Sequence, residues 1–143
     1  SATEIISGLY LGTLDDAGGF EGRVICVMNR WPDGEPDHAY YIPIVTVPGE
    51  AGELVLDEEG KKCIVALRQN LVLVASLIDA GQKKIQGSRT LVHCRHGQER
   101  SPLAIAWYLI SHHAHTWDTA YVLLKNKKSD VIDRRAWVRE GRA

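Results

Sequence analysis

The sequence predicts an α/β domain, and its order of elements carries the prediction. A short β-branched run, a long stretch with helical apolar spacing, another short apolar run and a strongly apolar helix follow one another along the chain. Strand, long helix, strand and helix in that order make a sheet with at least one parallel crossover. No repeat, low-complexity tract or long linker divides the 143 residues, so one domain spanning 1–143 is expected. Apolar residues make up 45% and charged residues 24%, the proportions of a soluble globular protein. They exclude a disordered tail, a collagen-like repeat and a coiled coil.

The elements follow in order. Ile5 to Leu11 carries Ser7-Gly8 between apolar residues and reads as a tight hairpin or two short edge strands. Arg23 to Met28 reads as a buried strand, ended by the turn signal Trp31-Pro32-Asp33-Gly34. Tyr40 to Val47 is a second candidate strand, weakened late by Pro48-Gly49, and the acidic stretch Glu50 to Gly60 reads as a long loop. Between Cys63 and Ile78, Ile64, Leu67, Leu71, Val74 and Ile78 share one helical face. Lys83 to Ser88 is a basic turn, Thr90 to His93 a third strand, and Ser101 to Ser111 a helix with Pro102 in its first turn. Thr116 to Lys125 is a last full helix. Asp130 reads as the cap of a final stretch from Asp133 to Arg139.

Charge and cysteine usage bound the function. Residues 1–60 hold two basic and twelve acidic side chains, and residues 61–143 hold fifteen and six. Folded together, the halves make either an acidic and a basic face, the latter drawing anionic ligands, or two solvated surfaces. The net charge of -1 suggests no nucleic-acid partner. Cys26, Cys63 and Cys94 are odd in number and lack C-x-x-C spacing, which fits a reducing, cytoplasmic setting without a disulfide framework or a zinc knuckle. The apolar run Leu71 to Ile78 is too short for a bilayer, and no signal-like segment opens the chain, so no membrane partner is expected. Oligomeric state is open, with a monomer as the expectation.

The informative segment is Val92-His93-Cys94-Arg95-His96-Gly97-Gln98-Glu99-Arg100-Ser101-Pro102. A strand ends at a cysteine, and five residues later an arginine opens a helix. Such a loop is an anion cradle, because its N–H groups turn inward and the helix N-terminus adds partial positive charge. Gly97 allows the turn, and Arg100 offers a planar fork for two phosphate oxygens. A thiol at that centre is biased toward the thiolate. Taken singly, a cysteine after a strand is usually core and an arginine at a helix start is usually solvated; the joint pattern carries the reading.

His-Cys-x5-Arg-Ser, with glycine at the third x, resembles the signature of the cysteine-dependent protein tyrosine phosphatase superfamily, most closely the small dual-specificity phosphatases. Ile5-Ile6-Ser7-Gly8-Leu9-Tyr10-Leu11-Gly12 is similar to their opening element. Val24 to Asn29, Tyr40 to Ile44 and Ser101 to Ile110 fit their strands and the helix behind the phosphate loop, so the likeness covers most of the chain. It implies a central mixed, largely parallel sheet of four to five strands flanked by helices. It also implies Cys94 as nucleophile of a phosphocysteine intermediate, Arg100 as phosphate ligand and transition-state stabiliser, and Ser101 as donor to the leaving thiolate. His93 would support the loop from behind, and Arg95, His96, Gly97, Gln98, Glu99 and Arg100 would bind the phosphate. No metal or organic cofactor is implied; the substrate would be a phosphorylated protein or another phosphomonoester.

The chain departs from the family where the general acid belongs. The family's aspartate would fall near Pro48, and the loop here is longer by roughly a dozen residues. Asp57 is the one aspartate among Glu50, Glu53, Asp57, Glu58 and Glu59 and is the favoured acid, although it also reads as a helix cap, which would leave Glu53. Without an acid the same fold would serve as a phosphate-binding pseudophosphatase or scaffold. Absence of a longer phosphotyrosine-recognition loop favours a shallow pocket. Arg95 and His96 suit phosphoinositides while Glu99 opposes them, and nucleotide or RNA 5′-phosphates are further alternatives. Cys26 reads as packing, or as a redox partner of Cys94. His112, His113 and His115 read as a solvated helix end rather than a metal site. Trp107, Trp117 and Trp137 read as core or partly buried aromatics.

Overall fold

The computed structural model describes residues 1–44, 58–84 and 87–138, apart from the side chains of 58–64. Its elements are β1 (Thr3–Ile6), β2 (Leu9–Gly12), α1 (Leu14–Ala17), β3 (Arg23–Cys26), β4 (Tyr40–Tyr41), α2 (Glu58–Gln82), β5 (Thr90–His93), α3 (Arg100–His112) and α4 (Trp117–Lys127), with a 3-10 turn at Arg135–Trp137. The sheet order is β1-β2-β5-β3-β4. Among the described residues only the β1–β2 pair is antiparallel. This is the mixed, largely parallel five-stranded sheet flanked by helices that the sequence predicts.

Side chains alternate across the sheet as the pleat requires. Leu9, Leu11, Ile25 and Val92 join the main core with α2, α3 and α4, while Val24 and Leu91 meet Ala17 and Phe20 on the other face. On α2, Leu67, Leu71, Val74 and Ile78 are buried, so the apolar stripe read from the sequence is the packed face. Each such side chain contributes roughly 1.5–3 kcal/mol of burial. Helix α3 is buried on nearly every side, from Ser101 through Ala106 and again at Tyr108 and Leu109. Its even hydrophobicity reflects an interior position.

Several boundaries differ from expectation. The Ser7-Gly8 hairpin forms, but of its two strands β1 alone lies at the sheet edge, because β2 also pairs with β5. Helix α2 runs from Glu58 to Gln82, so Glu58–Gly60 is helical, not loop. Apolar spacing marked only the buried middle; the polar ends extend it, with Asp79 and Lys83 paired at i,i+4. The short α1 went unread, although Thr13 and Asp16 form a reciprocal capping box. Asp130 caps no helix: the final helical stretch shrinks to Arg135–Trp137, and Asp130 instead pairs with Lys128 and Gln98. Strand β4 keeps two residues, and 45–47 lie outside the described residues. Among the described residues no helix is long and apolar enough to cross a membrane.

Register brings three strand ends together. Gly12, His93 and Cys26 are lateral partners at the C-terminal ends of β2, β5 and β3. The Cys94 loop leaves from the middle of that row, where open parallel sheets place their ligands.

Candidate active site

Residues 94–99 bridge β5 and α3, and the path of the loop follows from where its carbonyls go. The His93 carbonyl accepts from Val27 N–H at 3.0 Å, Arg95 from Leu14 at 3.3 Å, Gln98 from Ile132 at 2.8 Å and Glu99 from Leu103 at 3.1 Å. The His96 carbonyl faces Lys128 Nζ at 3.4 Å. With the carbonyls held from outside, the N–H groups of 95–99 donate no hydrogen bond among the described residues. Successive unpaired donors at the N-terminus of a 13-residue helix suit an anion cradle. Gly97 permits the curve: its φ is +66°, and a Cβ there would lie 3.0 Å from the Gly12 carbonyl oxygen.

The structure brings together most of the residues singled out from the sequence. Cys94 is 4% exposed, and its Sγ lies 3.2 Å from Oγ of the fully buried Ser101. Arg100 is half-buried, with Nε donating to the Ile44 carbonyl at 2.9 Å. That bond uses one of five guanidinium N–H groups and leaves the Nη pair. Arg95 and His96 are exposed and Gly97 is buried. Gln98 and Glu99 point outward: Gln98 donates to Asp130 at 3.2 Å, and Glu99 receives Arg134 Nε at 2.8 Å. Asp57, Glu53 and Glu50 lie outside the described residues.

His93 backs the loop as the resemblance implied, while Glu35 and the contacts from Lys128, Ile132 and Arg134 enter without having been read from the sequence. On the inner side, the fully buried His93 places Nε2 2.8 Å from Glu35 Oε2 and Nδ1 3.3 Å from the Cys94 carbonyl. Cys26 Sγ, a Glu35 carboxylate oxygen and a His93 ring nitrogen all lie within 4.8 Å of one another, a spacing that could hold a metal ion. Burial, reinforced by the Glu35 carboxylate, pushes the Cys26 thiol up to about 12. On the outer side, Lys128, Asp130, Ile132 and Arg134 meet the loop from the segment after α4. A Lys128 hydrogen bond holds the Asp130 carboxyl below its ordinary 3.8. Glu35 gave no signal, since a glutamate between Gly34 and Pro36 in a turn is ordinarily solvated. The histidines after α3 are tied separately, His113 to the Tyr108 hydroxyl at 2.7 Å and His115 to Thr119 at 2.9 Å.

Comparison with known proteins agrees with this geometry. The sequence profile of the dual specificity phosphatase catalytic domain matches residues 53–140. Human DUSP28 superposes with a TM-score of 0.65 at 18% identity, covering 95% of this chain and 86% of that one. The Yvh1 phosphatase domain from Chaetomium thermophilum gives 0.68 at 17%, covering 98% and 92%. The human tyrosine phosphatase-like serine/threonine/tyrosine-interacting protein gives 0.67 at 17%, covering 97% and 91%. At these identities the likeness is one of fold. No curated protein sequence matches the chain significantly. The profile spans well over half of the chain, including the strand, the cysteine loop and both following helices: the chain belongs to the dual specificity phosphatase catalytic-domain family.

Proposed function

We propose that the chain is a phosphomonoester hydrolase working through a cysteinyl-phosphate intermediate, with phosphotyrosine and phosphoserine/threonine in proteins as substrates. The observation that supports it most is the loop after Cys94, whose carbonyls are engaged while the N–H groups of 95–99 donate to no described residue, with Ser101 Oγ 3.2 Å from the Cys94 sulfur. In this reading the Cys94 thiolate attacks phosphorus. A P–S bond forms as the ester P–O bond breaks, and the electron pair goes to the leaving oxygen. Asp57 supplies the proton for that oxygen, with Glu53 and Glu50 the other carboxyls in reach of the sequence assignment. Water then attacks the phosphocysteine and passes its proton to the same carboxylate. The P–S bond breaks, the Ser101 hydroxyl donates to the returning thiolate, and orthophosphate leaves. The N–H groups of 95–99 and the Arg100 Nη pair hold the phosphoryl oxygens throughout.

The same reading has the chain act as one domain, as a cytoplasmic monomer, without metal or organic cofactor. One observation widens the substrate question. Glu99 is turned to Arg134, so its charge argues less against a polyanionic ligand than the sequence suggested.

The test is hydrolysis of a small aryl phosphate across pH 4 to 8 by wild type, Cys94→Ser, Asp57→Asn and Glu53→Gln. Turnover that Cys94→Ser abolishes is expected, with one carboxamide variant losing the limb of the pH profile that depends on a protonated acid. Wild type and Cys94→Ser equally inert, yet both binding tungstate, would make the cradle a recognition site of a pseudophosphatase. Phosphopeptides assayed beside a phosphoinositide and a nucleoside monophosphate then rank the substrate classes.

A further inference from the structure

We infer that Glu35 is a positioning residue of this site: it shares one proton with His93 and thereby keeps an N–H on His93 Nδ1, which holds the Cys94 carbonyl in place. The inference rests on the proposed phosphatase reading for its effect on turnover, but its geometry stands by itself.

Hydrogen-bond accounting fixes the proton count. A carbonyl oxygen can only accept, so the 3.3 Å contact between His93 Nδ1 and the Cys94 carbonyl requires the hydrogen on Nδ1. The 2.8 Å contact between Nε2 and Glu35 Oε2 then carries one proton, whichever atom it sits nearer. Neither side chain has solvent to turn to, since both are 0% exposed. Without Glu35 the ring would gain the freedom to move its proton to Nε2, and a lone pair would face the Cys94 carbonyl.

Two further observations close the arrangement. Glu35 is itself held, its N–H donating to the Pro32 carbonyl at 3.3 Å in the turn that follows β3. Its other oxygen, Oε1, is buried without a hydrogen-bond partner, and the neighbouring group is Cys26, the lateral partner of His93 in the sheet. Cys26 Sγ lies within 4.8 Å of the Glu35 carboxylate, so a thiol and not water is the group beside it. The line from Glu35 through His93 to the Cys94 carbonyl thus has its direction set by the carbonyl at its end.

The experiment compares wild type with Glu35→Gln and Glu35→Leu. A glutamine amide can donate to Nε2, which leaves the hydrogen on Nδ1; leucine fills the space and offers nothing. Long-range proton–nitrogen NMR at pH 7 is expected to show Nδ1 of His93 protonated in wild type and Glu35→Gln, and a tautomer mixture in Glu35→Leu. In aryl phosphate hydrolysis, Glu35→Gln should stay within about threefold of wild type, while Glu35→Leu loses kcat on the order of tenfold or more. A bare Nδ1 in wild type, or Glu35→Gln as impaired as Glu35→Leu, overturns the inference. So does one equivalent of Zn²⁺ retained after dialysis and lost in Cys26→Ala, which would make the trio a metal site. If wild type proves catalytically inert, the phosphatase reading fails while the NMR arm still decides the bridge.

Discussion

The Cys94 loop is gripped from two sides by polar contacts of similar length and different surroundings. Inside, Glu35 and His93 meet at 2.8 Å with neither side chain exposed. Outside, Glu99 and Arg134 meet at 2.8 Å with side chains 34% and 19% exposed, and Lys128 pairs with an Asp130 that is 50% exposed. Distance alone would rank them together. The difference is water: the buried pair has no alternative partner, so breaking it strands a polar group, whereas the outer charges are screened and can be rehydrated. The inner contact therefore sets geometry, and the outer ones adjust the loop at small cost.

The largest expected effect comes from cutting the inner grip. Glu35→Ala should destabilise the fold by on the order of 3 kcal/mol, read from urea unfolding, because it leaves the buried imidazole unpartnered. A loss below 0.5 kcal/mol would erase the contrast between the two sides.

Next is the loop itself. Gly97→Ala places a side chain at φ +66°, 3.0 Å from the Gly12 carbonyl oxygen. It should cost roughly 1–2 kcal/mol and weaken tungstate binding, measured by isothermal titration calorimetry.

Alkaline pH probes the inner side without touching Glu35. Folding raises the Cys26 thiol from 9.0 to about 12. A raised value means this contribution is complete below pH 9 and lost as the pH climbs through 9 toward 12. Across that window wild type should lose up to about 1.4 kcal/mol per pH unit more than Cys26→Ala. Parallel stability curves for the two proteins would count against the buried thiol.

The outer strap should show the smallest effects. A double-mutant cycle of Glu99→Gln with Arg134→Ala should give a coupling of about 0.2–1 kcal/mol that shrinks in 0.5 M salt. A larger, salt-insensitive coupling would place this pair with the inner one. Asp130 is depressed below 3.8, so its contribution holds above that pH and fades as the pH falls further.

How much was legible follows the range of the interactions. The Cys94–Ser101 segment could be read because strand, cysteine, glycine, arginine and helix start are neighbours in the chain, and local backbone geometry brings their groups together. Leu67, Leu71, Val74 and Ile78 could be read because a period of 3.6 puts them on one face whatever lies opposite. The ends of α2 could not, since polar residues continue a helix without marking it. Asp130 misled for a related reason: its side chain suits a cap, but it turns to Lys128 two residues earlier and to Gln98, which only the fold brought to it.

The sequence by itself determined the fold class, the family and the loop that centres on Cys94, all of which rest on spacing within a few residues or on apolar period. Tertiary structure alone decided what holds that loop. Glu35 stands 58 positions before His93, and Arg134 stands 35 after Glu99. Parallel register sets Cys26, His93 and Gly12 in one row, and the chain between strands carries no record of which distant side chain the row will meet. A buried charge partner is chosen by the last step of packing, when water leaves and only the groups still within hydrogen-bond reach remain.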